Sequence, residues 1–403
     1  MNRSYRILPC YTGDVSGAAS ALYELGGMVV IHDPSGCNST YNTHDENRWY
    51  DKDSLIYISG LSQREAIFGD DKNFIEDIVD AAAKLDPGFI ALLSSPIPFM
   101  NGTDFNAIAK LVEAKTGIFT FPVQTNGMHD YLVGAANALE VVAKHLVGGE
   151  KNVPDPSIGS KSERPVRINI LGLTPLDFTE GAAVYVKESL TRAGFDIVSV
   201  WSYGCSFGEI AVSGCADVNL VVSATGYKAA QILKAKYGIP YVAGCPAGNL
   251  GNIIYDMTKR SASDREDRIA YEYPHNTQEH PGTAKNVILI GEPVKMSSLA
   301  WALEESYGIS SKVVCPLELN TINAFALFRK GDVLSDGEEE IENILRGEKY
   351  VFADPMYSYV LPGGAKLFGL PHLAFSGREF TWKKDNIKDI FNIFEGDELD
   401  SFF

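Results

Sequence analysis

Short β-branched apolar runs alternate with longer stretches of helical period along most of the chain. In the first third the apolar runs are "GMVVIH" (27–32), "LIYIS" (55–59), "FIALLSS" (89–95) and "IFTFPV" (118–123). Between them, "NFIEDIVDAAAKL" (73–85) and "DFNAIAKLVEAKTG" (104–117) repeat apolar residues every three or four positions. Strands alternating with helices predict βαβ units, because parallel pairing needs a crossover of about a dozen residues or more. The pattern then breaks at "GGEKNVPDPSIGSKSERP" (148–165), rich in Gly, Pro, Ser and charge, which reads as a linker. A second run follows: "RINILGL" (167–173), a helix ending near 193, "FDIVSVW" (195–201), "VNLVVSA" (218–224), the helix "YKAAQILKAKYG" (227–238) and "IPYVAG" (239–244). Another polar stretch, "EYPHNTQEHPGTAK" (272–285), precedes "NVILIGEP" (286–293), "SSKVVCP" (310–316), "KYVFADP" (349–355) and "HLAFSG" (372–377). The expected fold is α/β, three Rossmann-like parallel-sheet domains around a central cleft. They span 1–150, 165–272 and 284–403, the last with a C-terminal helical tail.

Composition narrows the partners. A formal charge of −17 without any Lys/Arg cluster argues against nucleic acid and anionic membrane as ligands. The start, "MNRSYRILPCYTG", lacks the apolar core of a signal peptide, and no run of about 18 apolar residues predicts a membrane span. Six scattered cysteines (10, 37, 205, 215, 245 and 315) do not make a disulfide framework. The expected compartment is the cytoplasm, with thiols free or metal-bound. The pair Gly363–Gly364 reads as a turn and no phosphate loop is present, so no nucleotide is expected on this chain.

In open parallel sheets, ligands sit beyond the carboxyl ends of strands. Cys37 follows the first strand in "HDPSGC", Cys245 lies in "AGCPAG" and Cys315 in "VVCPLE". Cys10 stands upstream in "LPCYTG", too far from Cys37 for a C-x-x-C pair. Turn formers beside each thiol let a bulky cluster approach. The spacing alone is equally compatible with two buried free thiols. Cys205 and Cys215 read as packing residues. His32 and His44 flank the Cys37 turn, and 362–372, ending at His372, borders the expected cavity. Gly102 and Asp104 read as a turn and a helix cap.

Taken in order, "LPC", "HDPSGC", "SQREAIFGD" (62–70) and "LSSPIPFMNGTDF" (93–105) resemble the first domain of the nitrogenase component 1 family. That family includes the dark-operative protochlorophyllide reductase, the reductases of nickel-tetrapyrrole biosynthesis and the cofactor scaffold proteins. "ADVNLVVSATGYKAAQILKAKYGIPYV" (216–242) and "KNVILIGEPVKMSSLAWAL" (285–303) resemble its second and third domains. The resemblance implies that Cys10 and Cys37 are cluster ligands. Ser95 stands where the family has a third cysteine, and Ser223 stands where the catalytic subunit has its cofactor ligand. Two cysteines per chain then imply one [4Fe–4S] cluster at the interface of a homodimer, or of a heterodimer with a second component 1 chain. A homodimeric iron–sulfur ATPase is the implied partner, docking near Glu65, Phe68, Gly69 and Asp70. Cys245, Cys315 and Ser223 become candidates to line the cleft. The implied activity is that of the catalytic component of a two-component ATP-dependent reductase, an oxidoreductase acting on a small molecule. The alternatives are a metallocluster assembly scaffold and a non-catalytic subunit without a cluster.

Overall fold

The computed structural model describes residues 5–36, 46–69, 71–148, 164–272, 286–381, 388–394 and 397–403. Cys37, His44 and Asp70 lie outside them, as do most of the linker at 148–165 and of the polar stretch at 272–285. The first domain runs α1 (Asp14–Leu22), β1 (Met28–His32), β2 (Ile56–Ile58), α2 (Gln63–Phe68), α3 (Lys72–Leu85), β3 (Ile90–Ser94), α4 (Pro96–Asn101), α5 (Phe105–Thr116), β4 (Thr120–Val123) and α6 (Tyr131–His145). The second runs β5 (Val166–Leu173), α7 (Glu180–Arg192), β6 (Phe195–Ser202), α8 (Phe207–Ala211), β7 (Val218–Val221), α9 (Tyr227–Tyr237), β8 (Tyr241–Ala243), α10 (Gly251–Asp264) and β9 (Arg268–Ile269). The third runs β10 (Asn286–Ile290), α11 (Pro293–Tyr307), β11 (Ser310–Cys315), β12 (Val333–Leu334), α12 (Glu338–Leu345), β13 (Tyr350–Ala353), β14 (Lys366–Gly369), α13 (Leu373–Ser376) and α14 (Glu398–Phe402).

The three sheets have the orders β2-β1-β3-β4, β6-β5-β7-β8-β9 and β12-β11-β10-β13-β14, and their pairings are parallel. Helices cover both faces, so central strands such as β1, β3 and β7 are buried at every position and are largely apolar, with Asn219 inside β7. The run at 372–377 departs from the expected strand. His372 caps α13, whose Leu373, Ala374 and Phe375 are all buried, and the edge strand is Lys366–Gly369 instead. A short, wholly buried apolar run does not distinguish helix from strand by period.

Helix α6 packs against both α1 and α9, joining the first two domains. It is rich in alanine, and its contact with α1 is unusually close. A Cβ on Gly134 would lie 1.8 Å from the Asp14 carbonyl oxygen, and one on Gly17 2.1 Å from that of Tyr131. Only glycine permits this approach. A buried ionic cluster fixes the far end of α1. Arg48 pairs with Glu46 (Nε–Oε1 2.7 Å) and Glu24 (Nη1–Oε1 2.9 Å), donates to the Ser20 carbonyl at 2.8 Å, and lies 4.5 Å over the Tyr23 ring.

Candidate functional site

Each sheet reverses its strand order between two central strands: β1 and β3, β5 and β7, β10 and β13. Loops leaving such a pair in opposite directions open a crevice at the carboxyl ends. The second and third crevices meet in a buried polar network. Asp177 follows β5, Ser223 follows β7, Glu292 follows β10, Asp354 follows β13 and His372 follows β14, and all five are buried. The first domain contributes Tyr131, the first residue of α6, whose hydroxyl donates to Asp177 Oδ1 at 2.6 Å. Ser223 and Thr174 hydroxyls donate to Asp177 Oδ2 at 2.8 and 2.9 Å. Lys295 Nζ donates to the Asp177 carbonyl oxygen and lies 4.8 Å from the centre of the Phe178 ring. Glu292 accepts from the Ala224 and Lys295 backbone N–H groups at 2.7 and 2.8 Å, which ties the start of α11 to the second domain.

His372 is the least satisfied member. Its Nε2 lies 3.3 Å from Asp177 Oδ1, within ion-pair range but outside hydrogen-bond geometry, and its Nδ1 has no partner. Phe375 stacks on the ring at 4.2 Å. Burial, aided by Lys295, pulls the imidazole down to about 4, so it is neutral at pH 7. Burial, aided by Asp177, pushes the Glu292 carboxyl up to about 8. Burial raises Asp354 to about 6. Burial alone would raise Asp177 too, but His372, Lys295 and the Tyr131 hydroxyl outweigh it and hold that carboxyl below its ordinary value. Near neutral pH the centre thus holds a charged Asp177 with Glu292 and His372 neutral. It offers both a proton donor and a lone-pair acceptor. A cavity of about 30 Å³ adjoins it, bordered by Asp177, Lys295, Asp354 and His372 and by Phe178 and Phe391.

Cys10 lies at the edge of this centre, on the loop before α1. Tyr11 and Thr12 N–H groups donate to the Ala374 carbonyl at 3.1 and 3.0 Å, the Tyr357 hydroxyl donates to the Pro9 carbonyl at 3.1 Å, and the Cys10 thiol approaches the Ala374 carbonyl at 3.5 Å. The Cys10 turn is therefore stapled to the third domain. Asp14 completes the frame by accepting from Asn126 and Gly127 N–H groups at 2.8 and 2.7 Å. Burial and then Asp130 lift the Cys10 thiol well above its ordinary value, so a metal would have to displace its proton.

Ser95 caps α4 at the end of β3, fully buried, and its hydroxyl has no hydrogen-bond partner. Asp33 Oδ2, just past β1 on the neighbouring strand, is likewise buried and unpartnered. Gly127 packs on Pro96, so the loop that Asp14 holds also touches the Ser95 turn. The crevice between β1 and β3 thus holds two orphaned oxygens, one from Asp33, four residues before Cys37 in sequence, and one from Ser95. An iron–sulfur group takes thiolate ligands, which Cys10 can supply, whereas Ser95 and Asp33 offer only oxygen. Among the described residues no group of three or more His, Cys, Asp and Glu is arranged to hold a metal ion.

The remaining sequence candidates fall elsewhere. Cys245 donates its thiol to the Val222 carbonyl at 2.9 Å, and Cys315 ends β11; both are fully buried, with thiols raised by burial, and neither borders the cavity. Ser223 belongs to the Asp177 network rather than to the cavity lining. Cys205 is buried and Cys215 partly so. His32 stacks on Phe74 at 3.9 Å and bonds Ser59 Oγ at 2.8 Å, a packed position. Glu65 spends its carboxylate on its own helix: it closes a capping box with Ser62 and accepts from Asn73, and these bonds hold it down at about 2. Gly69 ends α2 in the left-handed conformation, and Ile67 and Phe68 are exposed there beside Phe99 and Met100 of α4, so this face is mainly apolar.

Residues 14–315 match the family described as nitrogenase component 1 type oxidoreductase. The chain belongs to that family. Among relatives of this nitrogenase-like chain, the nitrogenase iron-molybdenum cofactor biosynthesis protein NifE of Clostridium pasteurianum is 28% identical over 252 residues, covering 58% of this chain and 52% of its own length. NifE of Methanococcus maripaludis is 24% identical over 237 residues, covering 56% and 46%. The corresponding protein NifN of Bradyrhizobium diazoefficiens is 23% identical over 244 residues, covering 56% and 51%. The chain spans about half the length of the curated relatives it matches. A solved structure described as nitrogenase Cp1 at pH 5 shares the fold with a TM-score of 0.64 at 14% identity, covering 93% of this chain and 85% of that one. Iron–sulfur chemistry is thus a property of the family, and the fold agrees with the three-sheet expectation.

Reading the component 1 sequence by its thiols alone overlooked Asp177, Glu292, Lys295 and Asp354. Each sits within four residues of a strand's carboxyl end or in the first turn of the helix after it, in "TPLDF", "GEPVK" and "FADP". Applying the strand-end rule to all ionisable residues would have found them.

Proposed function

We propose that this chain is the cluster-bearing component of a two-component, ATP-dependent reductase. Cys10 and Cys37 from each of two chains hold one interface [4Fe–4S] cluster, in a homodimer or in a heterodimer with a second component 1 chain. A separate homodimeric iron–sulfur ATPase delivers electrons, and a small molecule in the central cleft receives them. The observation that carries this reading is the place of Cys10: partly exposed, flanked by exposed Leu8 and Tyr11, and bonded to the same α13 backbone that presents His372. An apolar rim around a thiol suits a site closed by another chain. When bound, the cluster supplies one-electron redox chemistry at low potential. The chain's own residues frame it: Asp14 and Ala374 fix the Cys10 turn, and Asp33 and Ser95 offer unpaired oxygens. In the cleft, His372 offers a lone pair, while Glu292, buried behind it in the polar network, holds a proton near neutral pH. The apolar face of Ile67, Phe68, Phe99 and Met100 suits partner docking, with Glu65 and Gly69 shaping its edge. This reading places the protein in the cytoplasm; among the described residues no helix is long and apolar enough to cross a membrane.

A second reading, a scaffold on which a metallocluster is assembled for another enzyme, is favoured by the relatives named as cofactor biosynthesis proteins. Anaerobic purification followed by iron analysis and electron paramagnetic resonance tests the shared premise. About four irons per dimer, with a reduced-cluster signal lost in Cys10→Ser, is expected. Iron-free protein would end both readings. A cluster species that leaves the cleft intact for an acceptor protein marks the scaffold, and one that is retained through ATPase-driven turnover marks the reductase.

A further inference from the structure

The first four residues of the segment 388–394 wall one side of the cavity at the Asp177 centre. Ile390 and Phe391 border the cavity opposite Asp177, Lys295 and His372. Ile390, Phe391 and Ile393 are 1%, 4% and 0% exposed, so these three side chains are packed as core while Lys388, Asp389, Asn392 and Phe394 are half-buried. Its backbone belongs to no helix or strand. The turn is shaped by its own hydrogen bonds: the Asp389 carboxylate accepts from Phe391 and Asn392 N–H groups at 2.9 and 3.1 Å, and Ile393 N–H donates to the Asp389 carbonyl at 3.2 Å. Ring contacts seat it, Phe391 lying 6.2 Å from Phe178 and 5.2 Å from Tyr185.

An ordinary core segment covers apolar groups. This one covers ionisable groups, among them a buried imidazole whose Nδ1 has no partner. We propose that residues 388–394 are a displaceable lid over the central cleft, standing where a ligand's apolar body goes when bound. The proposal rests on the reading of the cleft as the ligand site. A cavity of about 30 Å³ takes about two waters, whereas small-molecule sites enclose roughly 300–1,000 Å³. A ligand therefore has to displace a wall, and this wall has no ladder pairing to break. Its withdrawal exposes Phe178, Ile290, Met296 and Phe375 above Lys295 and His372. Those groups fit a ligand with a largely apolar body and one polar group directed at the floor.

Native-state hydrogen exchange of the intact wild-type protein, read by mass spectrometry, is the test. A lid gives Phe391–Ile393 about 100-fold less protection than β5, since local opening bypasses global unfolding. Equal protection in the two segments overturns the proposal. Anilinonaphthalene sulfonate serves as the apolar probe. Phe391→Ala is expected to bind one dye per chain roughly tenfold more tightly than wild type, while Phe391→Leu stays close to it. Dye binding by Phe391→Ala indistinguishable from wild type counts against the lid, and the exchange contrast stands as a test even where that variant does not fold. Iron-free protein with a fast-exchanging segment would remove the redox reading and leave the lid in place.

Discussion

Replacing Glu292 by Gln is expected to remove most of the pH dependence of folding stability just above neutrality. Glu292 is fully buried, and burial with Asp177 lifts its carboxyl from 4.5 to about 8. In the unfolded chain it ionises at its ordinary value. Between those values the native state holds a proton that the unfolded state has lost, so stability falls as the pH rises and levels off above about 8. At about 1.4 kcal/mol per pH unit, the whole shift is on the order of 5 kcal/mol, and the stretch from about pH 6.5 to about pH 8 is worth about 2. Asp354 and Asp130, both at about 6, have largely ionised below that stretch, and His372 is neutral throughout it. Gln cannot titrate. It can also accept from only one of the two N–H groups that Glu292 serves, so the variant starts lower by about 1–3 kcal/mol. Urea unfolding of both proteins across that pH range measures the slopes. Wild type should lose about 2 kcal/mol while Glu292→Gln stays flat; parallel slopes would refute the argument.

Three further outcomes follow from the same geometry. Arg48→Met strands the buried Glu46 carboxylate without its counter-charge and should cost about 3–5 kcal/mol in urea; a loss below about 1 would show that the cluster is not functioning as a buried ion pair. Gly134→Ala drives a methyl into the Asp14 carbonyl and should cost about 1–3 kcal/mol or more by thermal unfolding, whereas Gly181→Ala in α7, with 3.9 Å of clearance, should be neutral or stabilising by up to about 1. His372, at about 4 when folded and 6.5 when unfolded, contributes stability that is lost as pH falls from 6.5 through 4. His372→Phe should therefore shift the acid-side slope by up to about 3 kcal/mol in total, read from unfolding free energies of the two proteins at matched pH.

The architecture was legible because each domain writes its strands as continuous apolar runs, and β1, β3, β10 and β13 fall within the runs read from sequence. The short edge strands β9 and β12 gave no such signal, since two residues cannot carry a period. Cys10 and Ser95 could be named as candidates because a thiol and a family motif mark them. The Asp177 network could not be assembled from sequence. Tyr131, Asp177 and His372 are 46 and 195 positions apart in the chain, and their meeting depends on how three sheets pack rather than on any local pattern. Glu65, read from sequence as a docking charge, also closes the cap of its own helix, a role the letters alone do not separate from docking.

The hydrogen bond from Tyr131 to Asp177, with His372 on the same carboxylate oxygen, joins one residue from each domain at a single buried point. The three sheets look like repeats, yet none is a portable module. Excised alone, the second domain would present Asp177 stripped of its tyrosine and histidine neighbours, and the third would present Glu292 without its Ala224 donor. Damage to any one of the three sheets therefore reaches the other two through this shared point.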